Sequence, residues 1–388
     1  MGKITFNIGD GNLGRGLVGE EAVSGMLFLM RSEIYSGISG DFKFANKAAY
    51  LASALSGQDD FVDNQILDYF ERVSATLYVK TMVVAQANGV TAIPDAIEQL
   101  LEYSGHTVYQ LAITGTTDQY ILFDAMTVEN GVIDTVGSAI ASYVSKNVPV
   151  VAVVGPLFTD AEVADAGGYT FRAEGRQGIV LTTLQRTVPA DNFDITTDPI
   201  TLALGTTLAE IAATPIGESI AYVKRHPMQD YIASEISTEI SSGEDQARAL
   251  AVEGVLAPIQ YRGDVGIYLN GDVTLAPSTS DFAVLRNQRA INKGQRVLYR
   301  ELLPEQDAKV LIDPATGQMA PEAIGELSAI AERALVRMQQ AEEISAYTVY
   351  IDPAQDVLAT DTVVIEFSII PYGAASNIKG YLSLKKTA

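Results

Sequence analysis

The sequence predicts a mixed α/β protein, and three observations carry that reading. Strand-like runs alternate with amphipathic helical patterns between residues 94 and 154. Val148–Val154 is a continuous apolar run of the kind that parallel sheets bury on both faces. The C-terminal third carries a long helical pattern, residues 321–346, followed by two β-rich runs. A chain of 388 residues, 47% of them apolar, can bury sizeable cores, and two or three domains are expected.

In order along the chain, residues 1–25 read as a strand followed by a glycine-rich arm. Met26–Met30 is a short apolar run that predicts a buried strand. Asn46–Leu55 and Asp63–Val73 predict helices, the second with Ile66, Leu67 and Phe70 at helical spacing. Leu77–Ala85 reads as a strand. Pro94 and Asp95 open a helix to Tyr103 whose apolar face is Ile97, Leu100 and Leu101. Strands follow at Thr107–Thr114 and Tyr120–Met126, then a helix at Asp134–Lys146, and a strand at Gly178–Thr183. Thr206–Ala213 and Ile216–Lys224 predict short helices, stopped at His226-Pro227. Asn270-Gly271 predicts the turn of a hairpin over Tyr268–Asp272. Asp281–Leu303 predicts a helix packed through Phe282, Leu285, Ile291 and Leu298. In the 321–346 helix Ile324, Leu327, Ala331, Ala334, Met338 and Ala341 form the apolar seam, with Arg333 and Arg337 one turn apart on its flank. Thr348–Ile351 and Thr362–Ile370 predict strands.

Composition narrows the function. A net charge of −22 argues against nucleic acid as the main partner. Positive charge is uneven: the stretch Arg286, Arg289, Lys293, Arg296, Arg300 is basic, and so are Lys379, Lys385 and Lys386, which on an acidic protein suggests a mixed-sign surface suited to stacking of identical subunits. Without cysteine there is no thiolate nucleophile or Cys-based metal site. No apolar run has the length of a membrane span, and no signal sequence is expected. Gly9–Gly14 matches GxGxxG, yet no helix start follows it. Asp59-Asp60 and Glu20-Glu21 are adjacent carboxylates that read as solvated charges, since acid–base pairs must face each other across a cleft. His106 and His226 lack a nucleophile or metal-ligand partner nearby in sequence. Catalytic, cofactor and metal sites are therefore expected to be absent.

The two ends point elsewhere. Lys3, Ile4, Thr5, Phe6, Asn7 and Ile8 form one strand-like segment; Tyr381, Leu382, Ser383, Leu384 and Lys385 form another. Glycines set them off: Gly9, Gly11, Gly14 and Gly16 at the front, Gly373 and Gly380 at the back. A strand on a flexible tether can add to the open sheet edge of a neighbouring copy, which builds polymers.

The order of features in the C-terminal third resembles the contractile tail sheath proteins of bacteriophages and phage-tail-like injection systems. The resemblance rests on Gly263–Asp272, Ser280–Ala283, Asn287–Asn292, Leu298-Tyr299, the helix 321–346 and Gly380–Leu384, with Pro215–Ser219 preceding them. It implies N- and C-terminal arms at 1–25 and 379–388, a middle sheath domain from 26–93 and 206–262, an inserted outer α/β domain at 94–205, and an inner domain at 263–378. It further implies hexameric rings stacked around an inner tube and linked by exchanged terminal strands, contracting without nucleotide. The expected partners are other copies of the chain, the tube protein, and baseplate and terminator proteins, with no nucleic acid and no membrane insertion. Assembly is expected in a bacterial host's cytoplasm. Arg333 and Arg337 are the candidates to face the tube. The alternatives are another phage polymer, a capsid or tube component, and a soluble α/β enzyme with its pocket near Thr114–Thr117 or Gly155.

Overall fold

The structure is a computed structural model that describes residues 19–32, 37–114, 131–155, 171–182, 185–186, 201–224, 228, 244–261, 263–264 and 266–375. Its body is built from β1 (Ser24–Arg31), β2 (Gly40–Phe44), α1 (Lys47–Leu51), α2 (Asp60–Arg72), β3 (Leu77–Val84), α3 (Ile93–Tyr103), β4 (Gln110–Thr114), α4 (Ile133–Ser145), β5 (Val151–Val154) and β6 (Ile179–Thr182). The short pair β7 (Gln185–Arg186) and β8 (Thr201–Leu202) precedes α5 (Leu204–Ala213), α6 (Glu244–Val252) and β9 (Val255–Leu256).

One sheet holds this body together, with strand order β2-β3-β1-β4-β5-β6-β9. Only β2 runs antiparallel to its neighbour. A parallel sheet needs cover on both faces, and the apolar runs of the sequence supply it. In β1, Met26, Phe28 and Met30 pack with α2 and α5, whereas Leu27 and Leu29 pack with α3 and α4. β1 and β3 come from the segment read as the middle domain, and β4, β5 and β6 from the segment read as an insertion. They lie in one sheet, so the described residues show no break at residue 94.

Asp59, one of the adjacent carboxylates, caps α2: its Oδ1 accepts from Phe61 N at 2.9 Å and Val62 N at 3.1 Å. Against α2 lies α5, entered through Gly205, where a Cβ would stand 2.0 Å from the Gln65 carbonyl oxygen. The Gln65 side chain also accepts from Gly205 N at 2.8 Å. Gly205→Ala must push two helices apart, and we expect a loss of about 1–3 kcal/mol, read as a lower urea midpoint at unchanged slope.

The C-terminal part comprises β10 (Pro258–Gln260), β11 (Ile267–Leu269), α7 (Leu285–Leu302), α8 (Pro321–Gln340), β12 (Ala346–Tyr350), α9 (Val357–Thr360) and β13 (Glu366–Ile370). β10 and β11 form an antiparallel pair, as do β12 and β13. Three expectations are corrected here. Asn270-Gly271 is not a hairpin turn, because the Asn270 side chain is spent on tertiary ties to Ala257 N, Ala247 O and Val255 O. Ile216–Lys224 is a series of turns, since Ile216 and Ile220 plug two different cores. The helix expected over 321–346 stops at Gln340, and Glu342 takes a positive φ of 58°. The predicted strand at Tyr120–Met126 lies outside the described residues, as do His226-Pro227 and the glycine motif at Gly9–Gly14.

Candidate functional site

α7 is the spine of the C-terminal part, and its basic residues turn inward. Arg286, Arg289, Lys293, Arg296 and Arg300 recur at alternating three- and four-residue steps, which places them along one side of a helix. Each is engaged within the chain. Arg286 Nη1 meets Asp272 Oδ2 at 2.9 Å and its Nε reaches Tyr372 O at 3.3 Å. Arg289 Nη2 donates to Thr214 O at 2.9 Å. Lys293 bridges Glu343 at 2.5 Å and Glu21 at 3.2 Å. Arg296 donates to the carbonyls of His106, Val108 and Pro149 and lies over the Tyr109 ring. Arg300 pairs with Glu20. This corrects the expectation of a mixed-sign stacking surface at these residues: they bolt α7 to the sheet body and tie it to Glu20, Glu21 and Tyr372.

Burial shapes the chemistry of this junction. It pushes the Asp272 carboxyl up to about 6, against the pull of Arg286, and brings the Arg289 guanidinium down to about 10. Glu343 is raised for the same reason, opposed by Lys293. None of these groups faces a cleft shaped for a substrate, and the junction reads as structural. Among the described residues no group of His, Asp and Glu could hold a metal ion, and no helix is long and apolar enough to cross a membrane.

On the other side of α7 lies a different kind of surface. β12 and β13 form a two-stranded sheet, and neither outer edge has a strand partner among the described residues. Tyr347, Val349, Phe367 and Ile369 point down onto α7 and α8, packing with Ala290, Leu298, Ala334, Leu335 and Met338. Gly294 permits this approach, since a Cβ there would come within 2.6 Å of Ile369 Cδ1. The alternate residues Thr348, Tyr350, Glu366, Ser368 and Ile370 face outward and are exposed. Two strands alone are marginal in water. Here the helices supply one face, and both outer edges are without a strand partner among the described residues.

Beside the free edge of β13 runs an apolar groove of about 550 Å³, with Ile291, Leu298 and Leu302 of α7 against Phe367 and Ile369. A second hollow continues from it past Leu302 and Gln306 to Val363 and Ile365. Sequence reading had Ile291 and Leu298 as packing residues, and Ile291 is instead 38% exposed on the groove wall. The signal for the groove was present in Leu298, Tyr299, Leu302 and Leu303, which make the end of α7 apolar on more than one side.

The segments Lys3–Ile8 and Tyr381–Lys385 lie outside the described residues, together with Gly9, Gly11, Gly14, Gly16 and Gly380. Gly373 is described and exposed, with nothing within 4 Å of a Cβ placed there. Arg333 and Arg337 are exposed on α8 and share one partner on α7: Glu301 lies 3.9 Å from Arg333 and 2.8 Å from Arg337. The hollow beside them also holds Glu305 and Glu326 with Arg300, so this face carries charges of both signs. The strand ends at Thr114 and Gly155, where an α/β enzyme would have its pocket, lead directly into segments outside the described residues.

Comparison with known proteins places this architecture. A family described as DUF2586, C-terminal domain, matches residues 281–388, the stretch that holds α7, α8 and the open sheet. No curated protein matches the chain. Among solved structures, a chain of the anti-feeding prophage baseplate is similar over 99% of both chains at 14% identity, with a TM-score of 0.64. The contracted sheath complex of an extracellular contractile injection system, PVC, is similar over 100% of this chain and 98% of its own at 12% identity, also with a TM-score of 0.64. The sheath tail protein of Listeria innocua is similar over 93% of this chain and 94% of its own at 11% identity, with a TM-score of 0.58. From end to end, the chain has the fold of the sheath proteins of contractile tails and injection systems.

Proposed function

We propose that this chain is the structural subunit of a contractile sheath and works as a polymer rather than as an enzyme. The observation that carries the reading is the two-stranded sheet β12–β13, without a strand partner on either edge among the described residues and set on an apolar groove, in a chain with two strand-like ends. The terminal segments Lys3–Ile8 and Tyr381–Lys385 of neighbouring copies complete that sheet, and the glycines beside them act as hinges. Backbone hydrogen bonds of about 0.5–1.5 kcal/mol each are modest singly, but linkage of every subunit to several others makes the lattice strong. The copies stack as hexameric rings around an inner tube, with Arg333 and Arg337 offered to the tube surface, and baseplate and terminator proteins close the ends. Contraction proceeds without nucleotide as the same subunits repack while their strands stay paired. The particle assembles in the host cytoplasm and becomes part of a virion tail or an injection device.

Deletion of residues 1–12 or of 379–388 tests this reading. Each truncated protein is expected to stay folded by circular dichroism and to form no tubes in negative-stain electron microscopy, alone or with the tube protein. Normal tubes from either truncation would refute strand exchange.

A further inference from the structure

The chain enters the main sheet at an inner strand. β1 lies between β3 and β4 in the strand order. Its eight residues all pair with β3, from Ser24 with Leu77 to Arg31 with Val84, and Ser24–Phe28 pair with β4 as well. Both ladders are parallel, so the three strands have their amino ends on one side. Val23 alone separates β1 from the short turn Glu20–Ala22.

That turn is pinned from several sides. Tyr69 Oη of α2 and Ser24 Oγ donate to Ala22 O at 3.0 and 2.9 Å. Gln110 Nε2 of β4 donates to Glu21 O at 3.0 Å. The side chains of Glu20 and Glu21 are the ones held by Arg300 and Lys293 of α7.

A pull along the axis of β1 strains all of these ties and both ladders at once, because one lengthwise displacement lengthens every evenly spaced bond of a parallel ladder. It also meets a packing barrier. A shift of one residue exchanges the faces of the strand, and Met26, Phe28 and Met30 belong to one core while Leu27 and Leu29 belong to the other. A shift of two residues toward the amino end draws Ser32 into the buried place of Met30. The C-terminal part is built differently. β13 has β12 as its one strand partner among the described residues. Beyond it Tyr372 O accepts from Arg286 at 3.3 Å and Pro371 O from Ser345 Oγ at 3.2 Å. A sheet of two strands is the weaker hold.

We infer that β1 is a load-bearing strand: tension arriving ahead of Glu20 is taken up as shear of β1 between β3 and β4, and the subunit yields first at its C-terminal pair β12–β13. The inference rests on the sheath reading for the source of the tension alone. Where copies of a chain pull on one another, an attachment of this kind lets a link be stretched without unravelling the sheet behind it.

Single-molecule pulling on the free full-length chain tests this. The chain has no cysteine, so engineered pairs place the handles without background. Ser74 and Ala87 are exposed just before and just past β3. Gly2→Cys with Ala87→Cys pulls the amino end of β1 against the carboxyl end of β3, which shears the ladder. Gly2→Cys with Ser74→Cys pulls the two amino ends apart, which opens the same ladder bond by bond. Ala87→Cys with Ala388→Cys loads the C-terminal part. The shearing pair is expected to rupture at several-fold higher force than the opening pair, and also above the first rupture of the C-terminal pair. Equal forces for shearing and opening would overturn the role given to β1. A C-terminal first rupture at or above the shearing force would overturn β12–β13 as the yielding end. The measurement needs no polymer, so a chain that builds no sheath would sink the sheath reading and leave these outcomes unchanged.

Discussion

Full-length protein carrying Ile291→Asp is expected to fold and to form no polymer. Ile291 sits on the wall of the groove beside β13 and is 38% exposed, so a carboxylate at this place stays hydrated in a subunit whose groove is open. A strand laid along β13 removes that water. The apolar part of the lining, Leu298, Leu302, Phe367 and Ile369, has no donors, and the Gln295 amide one turn along α7 already donates to Val144 O and Asn147 Oδ1. Burying a carboxylate without a partner costs several kcal/mol, and about 3 kcal/mol per strand contact weakens it by more than 100-fold. Sedimentation at concentrations where wild-type protein forms tubes should show only small species, with an unchanged far-ultraviolet spectrum. Ile291→Leu keeps the apolar wall and should assemble. Wild-type tube formation by Ile291→Asp would mean that no strand enters this groove.

The parts of this molecule that were legible in the sequence are those whose burial is set locally. Met26–Met30 and Val148–Val154 are apolar at successive positions because both faces of their strands are covered, and both are inner strands of the sheet. The helix from Pro94 to Tyr103 declares its start through proline and its buried face through Ile97, Leu100 and Leu101. What could not be read depends on partners remote in sequence. The stripe Arg286–Arg300 has helical spacing, and an inward and an outward charged stripe look alike until the acceptors are located. Those acceptors are Glu20, Glu21, Thr214 and the carbonyls near residues 106 and 149. The 321–346 helix was read as too long because Ala341 and Ile344 continue the apolar spacing across a chain reversal at Glu342. At Asn270 a strong turn signal was overridden by three tertiary hydrogen bonds. The terminal segments announced themselves as strands without a home. That β12 and β13 have no outer strand partner among the described residues is a property of topology, and no spacing of residues encodes it.

The largest loss of stability is expected from Asp272→Ala. Asp272 is buried where the N-terminus of α7 meets the sheet body, with Arg286 at 2.9 Å and the fully buried Arg289 acting on it through space. Removing the carboxylate leaves the Arg286 guanidinium in a buried junction without its counter-charge and takes one of three nearby carboxylates from Arg289, which keeps Glu21 and Glu343; about 3–5 kcal/mol is the usual cost of such a half-removed pair. The effect should reach the assembly too, since Arg286 also holds Tyr372 O at the root of the C-terminal segment. Arg286→Met added to Asp272→Ala should recover part of the loss, because the double variant no longer strands that charge. The wild-type pair also has a pH signature. The folded-state carboxyl lies near 6, above the roughly 3.9 of an unfolded chain. The folded protein therefore binds the extra proton between these values, and the contribution of this group grows as pH falls through about 6, is complete below about 4 and is lost again as pH rises. Asp272→Asn has no proton to bind, so the stability of wild-type protein relative to Asp272→Asn should increase between pH 7.5 and pH 5 in urea titrations. A relative stability that is flat, or that moves the other way, would place the Asp272 carboxyl in the ordinary range.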